Sequence, residues 1–295
     1  MNRLLALSFV ALLSLSACVQ KQNKTEEKVQ VSSEKKDNEN RNKDTSSFGD
    51  GKENLKSFEK GKVVTSKSLA NGIKIKWIHN AEGRTILDGE MVLIEYRIAL
   101  PDGRIVDGNN RANLPGFPFV VGYNMQTIGW DLAFKELSVG DFAKIEMPAP
   151  FAYGAKGLGD VIPANSSVWL YVKIHSFIAP STDSGGIKSW LIKNGAPSDL
   201  DKTEDKQFFL HMMVSTKSTP NVINTYFKNT PIRYIPGQNA LVPGLRKVLK
   251  NAKIGEHYLI ILEATQAYGK YGFTNKVRPN ESVLFNVEVD DLRAI

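Results

Sequence analysis

The chain has 295 residues, of which 42% are hydrophobic and 23% charged, so its composition is that of ordinary globular domains. This length accommodates two domains of usual size, each with its own hydrophobic core. The formal net charge of +7 is modest, whereas nucleic-acid-binding proteins usually carry a dense basic stripe, and we therefore expect no nucleic-acid partner. A single cysteine, Cys18, excludes an intrachain disulfide.

Residues 1–17 have the outline of a secretory signal peptide, because one positive charge precedes an apolar run that is too short to span a membrane as a helix. The sequence Leu-Ser-Ala-Cys at residues 15–18 resembles a bacterial lipobox. This resemblance implies cleavage before Cys18, lipidation of that cysteine with a fatty acid such as palmitate, and a membrane anchor. The alternative is an ordinary signal peptide followed by an incidental cysteine.

Residues 20–60 are rich in Lys, Glu, Asn, Ser and Asp and contain few apolar residues. Such a segment cannot bury enough surface to offset the entropy of ordering, so we interpret residues 18–60 as a lipidated cysteine with a disordered tether. Val19 stands where some lipoproteins carry the aspartate that retains them at the inner membrane. The lipobox resemblance therefore implies the outer membrane of a bacterial cell envelope.

The segment from residue 62 to residue 180 is rich in predicted strands. Apolar, branched and aromatic residues alternate or dominate in four stretches, which predicts strands over residues 72–79, 91–100, 142–147 and 167–177. Residues 130–137 instead carry apolar side chains at helical spacing, which predicts one short amphipathic helix. Strands joined by hairpin-like turns, together with one helix, predict an α+β domain with a mainly antiparallel sheet.

The same pattern recurs 115 residues later in the chain. Five residues have an identical counterpart at that offset, namely Gly122 and Gly237, Gly129 and Gly244, Gly140 and Gly255, Tyr153 and Tyr268, and Gly154 and Gly269. Glycines at fixed offsets mark backbone positions that need a positive φ or a close approach. We therefore predict two copies of one fold, over residues 62–180 and 183–295.

Several motifs of the first copy occur in one order and spacing. They are Tyr96 after a strand, Val-Asp-Gly at 106–108, Phe-x-Phe at 117–119, Gly-Trp at 129–130, Val-Gly-Asp at 139–141, Ala-Tyr-Gly at 152–154 and Ile-Pro at 162–163. This arrangement resembles the FKBP-type peptidyl-prolyl cis-trans isomerases. The resemblance implies two tandem FKBP-like domains, each an antiparallel sheet curled around one short helix. It also implies an enzyme that isomerises X-Pro bonds of proline-containing polypeptides, here exported proteins.

The resemblance assigns roles to individual residues of the first copy. The set that it implies for catalysis is Tyr96, Asp107, Trp130 and Tyr153. Trp130 would form the floor under the proline ring, Tyr153 would donate its hydroxyl to a substrate carbonyl, and Asp107 would place a carboxylate beside the twisting bond. Without the resemblance, Trp130 would be interpreted as a core residue, and Tyr153 and Asp107 as turn residues.

A second set would bind the substrate, according to the same resemblance. It comprises Val106, Phe117, Thr127, Val161, Ile162 and Leu170, with the backbone N–H near Thr127 holding another substrate carbonyl. The family often has aromatic residues in place of Val106 and Leu170, and sometimes a histidine in place of Leu158. We therefore expect thinner pocket walls, lower activity, a changed preference for the residue before proline, and weak binding of macrolide immunosuppressants.

The second copy keeps the fold pattern but loses most of this set. Met212 stands in the place of Tyr96, Leu245 replaces Trp130, and residues 222–224 contain no carboxylate to match Asp107. We predict a degenerate, non-catalytic domain. Two interpretations of its role stay open, namely binding of extended chains through an apolar groove, or a structural or dimer-forming part.

Metal and cofactor chemistry is not expected. The four histidines lack the spacing of metal ligands, and the sequence has no phosphate-binding loop and no nucleophile elbow. Two functions therefore compete. The first is a lipid-anchored isomerase that acts through the first copy, and the alternative is a non-catalytic chaperone or binding lipoprotein built on the same scaffold.

Overall fold

The structure is a computed structural model that describes residues 61–110, 114–202 and 206–295. The predicted signal peptide, the predicted lipidation site at Cys18 and the whole of the predicted tether lie outside the described residues. Among the described residues, no helix is both long and apolar enough to cross a membrane.

The first sheet has seven strands, and each of its pairings is antiparallel. Its strands are β1 (Thr65–Ser68), β2 (Lys74–His79), β3 (Met91–Ala99), β4 (Ile105–Gly108), β5 (Phe117–Val120), β6 (Phe142–Met147) and β7 (Val168–Phe177). They lie in the order β1-β2-β6-β7-β3-β4, and β5 pairs with β3. We call this sheet and its helix domain one.

The second sheet repeats this architecture with seven further strands. They are β8 (Thr182–Ser184), β9 (Ile187–Lys193), β10 (Lys206–Thr216), β11 (Ile223–Asn224), β12 (Ile232–Tyr234), β13 (His257–Leu262) and β14 (Val283–Ala294). Their order is β11-β10-β14-β13-β9-β8, and β12 pairs with β10, as β5 does with β3. We call this sheet and its helix domain two, and the predicted fold class is confirmed.

One short helix packs against each sheet, α1 (Ile128–Phe134) in domain one and α2 (Pro243–Val248) in domain two. Helix α1 begins two residues before the predicted start at residue 130 and ends three residues before the predicted end at 137. Its last residues tighten into turns in which the N–H of Leu137 bonds to the carbonyl of Phe134. Apolar residues of each helix and of the sheet face against it form the main hydrophobic core of each domain.

The strand register aligns the two domains position by position. Tyr96 pairs with Val172 in domain one, and Met212 pairs with Val287, which is 115 residues after Val172, in domain two. Strand β3 therefore corresponds to β10 with an offset of 116, whereas β7 corresponds to β14 with an offset of 115. The offset changes because the connection from β4 to β5 is one residue longer than the connection from β11 to β12.

The outer face of the domain-two sheet packs on domain one. A third apolar cluster spans the contact and contains Met91, Val120 and Tyr123 from domain one, and Trp190, Leu259, Ile261 and Leu284 from domain two. The side-chain amide of Asn124 also donates to the carbonyls of Thr216 and Lys217, at 2.8 and 3.1 Å. The two domains therefore share a buried apolar contact with hydrogen bonds at its edge.

Candidate functional site

Trp130 lies at the centre of an aromatic cluster in domain one. It is the third residue of α1, and only 1% of its surface is exposed. Its ring centre lies 5.2 Å from that of Tyr96 in an edge-on arrangement, 5.4 Å from that of Phe119 and 5.7 Å from that of Phe134. Such edge-to-face and offset contacts stabilise aromatic pairs beyond the area that they bury.

Tyr96 and Asp107 are joined directly on neighbouring strands. Tyr96 on β3 donates its hydroxyl to the Oδ2 atom of Asp107 on β4, at 2.9 Å. The Tyr96 ring also lies 5.6 Å from the ring of Phe117 on β5. Burial, and then the charge of Asp107, raise the pKa of the Tyr96 phenol, which therefore stays protonated and donates to the carboxylate.

The loop after β4 is shaped around Tyr96. The side-chain oxygen of Asn109 accepts the Tyr96 N–H at 2.7 Å, and its amide donates to the carbonyls of Ile94 and Pro115. A Cβ atom on Gly108 would lie 2.7 Å from the carbonyl oxygen of Tyr96, so only glycine fits there. Sequence reasoning missed Asn109, although it directly follows the Val-Asp-Gly motif.

Tyr153 lies in the turn between the two short 3-10 helices Ala149–Phe151 and Gly154–Lys156, and its side chain packs against the aromatic core. Burial raises the pKa of its hydroxyl, and the negative charge of Asp107 raises it further. The Asp107 carboxylate is thus near enough to act electrostatically on the Tyr153 hydroxyl. At neutral pH this phenol is a hydrogen-bond donor.

The predicted binding residues occupy different depths of the site. Ile162 and Leu170 are buried in the core, Val106 is half-buried at its edge, and Val161 is 39% exposed. The isolated bridge between Leu158 and Ile162 holds the loop that carries Val161. The structure thus places Ile162, Leu170 and Val106 in or against the same cluster, whereas Val161 is exposed on the neighbouring loop.

A cavity of about 490 Å³ opens beside Tyr153. Nine of its fourteen lining residues belong to domain one, and Tyr153 and Thr127 are the members of the predicted site among them. Trp130, Tyr96 and Phe117 are not part of the cavity wall and lie in the core against which Tyr153 packs. The hydroxyl oxygen of Thr127 is buried and has no hydrogen-bond partner among the residues that the structure describes.

The same positions of domain two hold different chemistry. Strand register places Met212 at the position of Tyr96, and Ile223, which pairs with Val214, at the position of Asp107. Leu245 on α2 takes the place of Trp130 and is equally buried. Tyr268 remains, but its ring stacks on Phe273 at 4.7 Å.

Asp131 is a buried carboxylate that sequence reasoning missed. Its two oxygens accept the backbone N–H groups of Gly122 and Asn124, each at 2.7 Å. Burial raises its pKa to about 6, although both N–H donors and the charge of Lys135 lower it. The carboxylate connects α1 with the loop that contacts domain two. A charged residue directly after the buried Trp130 was the available signal.

No group of three or more His, Cys, Asp and Glu side chains within the described part of the chain is placed to hold a metal ion. The chemistry that the described site offers is therefore that of an aromatic cluster, a carboxylate, protonated phenols and backbone donors. Such a set can bind and distort a neutral substrate.

A family model described as FKBP-type peptidyl-prolyl cis-trans isomerase matches residues 82–175 and 201–290, together more than half of the chain. Its two matches lie in domain one and domain two, respectively. Each half of the chain is thus similar to the same family.

Individual relatives match one or both halves. FK506-binding protein 1 of Candida glabrata is 31% identical over 110 residues, which are 37% of this chain and 96% of that protein. FK506-binding protein 1 of Saccharomyces cerevisiae is 32% identical with the same coverage. Peptidyl-prolyl cis-trans isomerase FKBP10 of Homo sapiens is 26% identical over 208 residues, 70% of this chain and 35% of that protein.

Among solved structures, the three FKBP domains of wheat FKBP73 cover 76% of this chain and 96% of the wheat chain. The identity is 19% and the TM-score is 0.36, values too low to bear on function.

Proposed function

The chain belongs to the FKBP-type peptidyl-prolyl cis-trans isomerase family, and on that premise we propose that domain one catalyses the cis/trans isomerisation of X-Pro bonds in exported proteins. The observation that carries this proposal is the joined set of Trp130, Tyr96 and Asp107. The indole lies 5.2 Å from the phenol ring, and the phenol donates to the carboxylate at 2.9 Å.

The reaction requires only that one bond be twisted. Amide resonance gives the peptide bond a rotation barrier of about 18–20 kcal/mol, and X-Pro bonds alone populate both isomers appreciably. Uncatalysed exchange takes about 10–100 s at room temperature. At the top of the barrier the carbonyl group is twisted by about 90° from the plane of the proline nitrogen, and the amide resonance is lost. The carbonyl oxygen is then less negative than in the planar amide.

An apolar aromatic pocket stabilises this twisted state relative to the planar one. The planar amide is more dipolar and loses more by leaving water, so the site binds the transition state better than the ground state. Trp130 would support the proline ring, with Phe117 and Ile162 at the sides of the pocket. Val106, Leu170 and Val161 would complete the walls with aliphatic side chains.

Two polar groups would orient the substrate in this pocket. Tyr153, whose phenol stays protonated, would donate to a substrate carbonyl, and the backbone N–H of Thr127 would hold another. Asp107 holds the Tyr96 hydroxyl and would supply a carboxylate beside the twisting bond. No covalent intermediate is needed, because the reaction makes and breaks no covalent bond.

The proposed substrates and location rest on residues 1–18 of the sequence. The signal-like residues 1–17 and the lipobox-like residues 15–18 support export and lipidation at Cys18. We propose a lipoprotein of a bacterial cell envelope, anchored in the outer membrane, whose polar residues 20–60 let the catalytic domain reach emerging polypeptides. Metabolic labelling with a fatty acid tests the anchor, and a Cys18→Ser variant should lose the label.

A second candidate function is a non-catalytic binding protein on the same scaffold. The aliphatic walls at Val106 and Leu170 favour it, because they offer a twisted proline less aromatic surface than the family pattern does. The replacement of Tyr96, Asp107 and Trp130 in domain two favours it as well for that half of the chain.

An isomerisation assay on the purified full chain separates the two functions. Wild type should accelerate exchange of an X-Pro peptide, and Asp107→Val combined with Tyr153→Phe should remove most of that acceleration. The matched control is Tyr268→Phe, which makes the same change at the corresponding position of domain two and should retain full activity. A folded wild type without activity would leave the binding protein as the function.

A further inference from the structure

The cavity beside Tyr153 is closed on one side by domain two. Five of its fourteen lining residues come from that domain, and they lie on strand β10, in the turn between β10 and β11, and in the short 3-10 helix after β11: Met213, Ser218, Pro220, Asn221 and Phe227. The corresponding turn of domain one, residues 101–104, lines no part of this cavity. Domain two therefore presents to the candidate site its outer surface, and not its own pocket.

This wall is fixed in position by the contact between the domains. Asn124 lines the cavity and holds the carbonyls of Thr216 and Lys217, at the start of the turn. The ammonium of Lys217 lies 3.3 Å from the carboxylate of Asp88 in domain one. The apolar cluster between the domains lies behind these contacts. A bound chain would thus meet a preformed surface.

The turn itself is also held from within domain two. The hydroxyl of Thr216 accepts the N–H groups of Ser218 and Thr219, and the carboxylate of Glu281 accepts the Ser218 N–H as well. Asn221 has a left-handed backbone, with φ at 51°, and the Val222 N–H returns to the carbonyl of Val214. Pro220 and Asn221 are therefore presented on a short, well-bonded turn.

The lining suits an extended polypeptide with an apolar side chain. Met213, Pro220 and Phe227 of domain two are apolar, as are Met125, Ile128 and Leu158 of domain one. Gln126 and Asn221 add amides that can pair with a backbone, and the buried Thr127 hydroxyl lacks a partner among the described residues. A few polar groups in an apolar cleft are typical of a binding site.

We propose that this cavity is a subsite for the residues that flank the isomerised proline, and that domain two selects substrates with an apolar residue there. The inference rests on the proposed activity of domain one. The occupant follows from continuity, since Tyr153 and Thr127 belong both to the cavity wall and to the proposed proline site. When the proline of a polypeptide occupies that site, the residues that flank it must run beside Tyr153 and Thr127.

The test compares two substrate lengths on the full chain. One peptide has four residues around a single X-Pro bond, and three others have twelve residues with the same bond flanked by leucine, lysine or glycine. Exchange is followed by NMR. Wild type should use the leucine-flanked peptide about 10-fold better than the glycine-flanked one, the effect of one well-placed apolar side chain.

Phe227→Glu carries the main prediction. It should abolish the preference for leucine, favour lysine, and leave kcat/KM for the four-residue peptide within twofold of wild type. Tyr271→Glu is the matched control, because Tyr271 belongs to the same domain, is 82% exposed and lies outside the cavity. It should keep the wild-type preference for leucine.

Pro220→Glu guards against a folding artefact, because Pro220 is exposed on the turn and its replacement should not disturb the core. This variant should shift the substrate preference in the same direction as Phe227→Glu. A leucine preference that survives in both cavity variants would overturn the subsite, although domain one would still be an isomerase. Absence of exchange with every peptide would overturn the proposed function and the subsite together. A gain for lysine cannot arise from unfolding.

Discussion

Domain one brings together the indole of Trp130, the phenol of Tyr96 and the carboxylate of Asp107. Domain two has leucine, methionine and isoleucine at the same positions. The sheet order is the same in both domains, and the residues that shape the turns, such as Tyr153 and Tyr268, recur. The comparison shows that different requirements maintain the fold and the pocket. A core accepts any apolar group of suitable volume, but a site depends on specific atoms.

The large aromatic residue stands on the helix in domain one and on the last strand in domain two. Domain one combines Trp130 on the helix with Leu170 on the last strand, and domain two combines Leu245 with Phe285, all of them buried. In each domain, one of these two positions is aromatic and the other is aliphatic. Volume-conserving exchanges of this kind are the best tolerated in cores, so domain two keeps its packing without the flat indole floor.

Trp130→Leu makes domain one resemble domain two at this position and should have the largest effect. Loss of the buried indole creates a cavity and should lower the free energy of unfolding by about 2–4 kcal/mol. Since the ring would also position the proline, kcat/KM should fall on the order of 100-fold. Denaturant unfolding and the isomerisation assay measure the two effects.

Leu245→Ala is the control for Trp130→Leu, because it opens a cavity at the corresponding helix position of domain two. It should cost a similar free energy of unfolding and leave kcat/KM within about twofold. Retention of full activity by folded Trp130→Leu would show that the indole is only a core residue.

Asp131 should make the stability of domain one depend on pH, and domain two has Arg246 at this position. The native pKa is about 6, because burial raises it. Between about pH 4 and pH 6 the folded state keeps a proton that the unfolded state has released. The raised pKa of Asp131 therefore contributes up to about 3 kcal/mol to the free energy of unfolding. This contribution is fully present below pH 4 and is lost as the pH rises through 6.

The measurement is urea unfolding of wild type and Asp131→Asn between pH 4 and pH 7. Wild type should lose stability relative to the variant as the pH rises, because the variant has no carboxyl to ionise. Other carboxyl groups with lowered pKa values, such as Glu90 and Glu146, act in the opposite direction but equally in both proteins. A constant difference across the range would refute the raised pKa.

Much of the fold, and the difference between the two pockets, could be predicted from the sequence. The five identical residues at an offset of 115 located the repeat, and local spacing identified Met212 and Leu245 as replacements. Strands β1 and β8 were missed because all of their residues are exposed, so that no alternation of apolar and polar residues marks them. Local pattern carries information only where one face is buried.

The contact between the domains was not predicted, because it depends on which surfaces meet. Leu259, Ile261 and Leu284 look like ordinary strand residues when their own domain is considered alone. The run His-Tyr-Leu-Ile-Ile-Leu of β13 did contain a signal, since strands with apolar residues on both faces are usually covered on both. The identity of the covering surface could come only from the assembled structure.

Asn124 should matter more than its counterpart Asn239, because only Asn124 bonds to the other domain. Asn124→Gly keeps the positive φ of 53° but removes a hydrogen bond to the buried Thr216 carbonyl and one to the partly buried Lys217 carbonyl. The free energy of unfolding should fall by about 1–2 kcal/mol, and hydrogen exchange at the contact should accelerate. Asn239 is exposed and pairs with Arg246, so Asn239→Gly should change stability by less than about 0.5 kcal/mol.

Val106→Phe tests the aromatic wall and should have the smallest effect. Val106 is half-buried at the edge of the core, and on the family pattern an aromatic ring at this position would cover the proposed proline site. An aromatic contact is worth about 0.5–1.5 kcal/mol, so kcat/KM should rise a few-fold, most for peptides with a bulky apolar residue before proline. If Val106→Phe gives no gain, the lack of an aromatic residue at position 106 does not limit the rate. The expected difference in activity between the domains would then rest on Trp130, Tyr96 and Asp107.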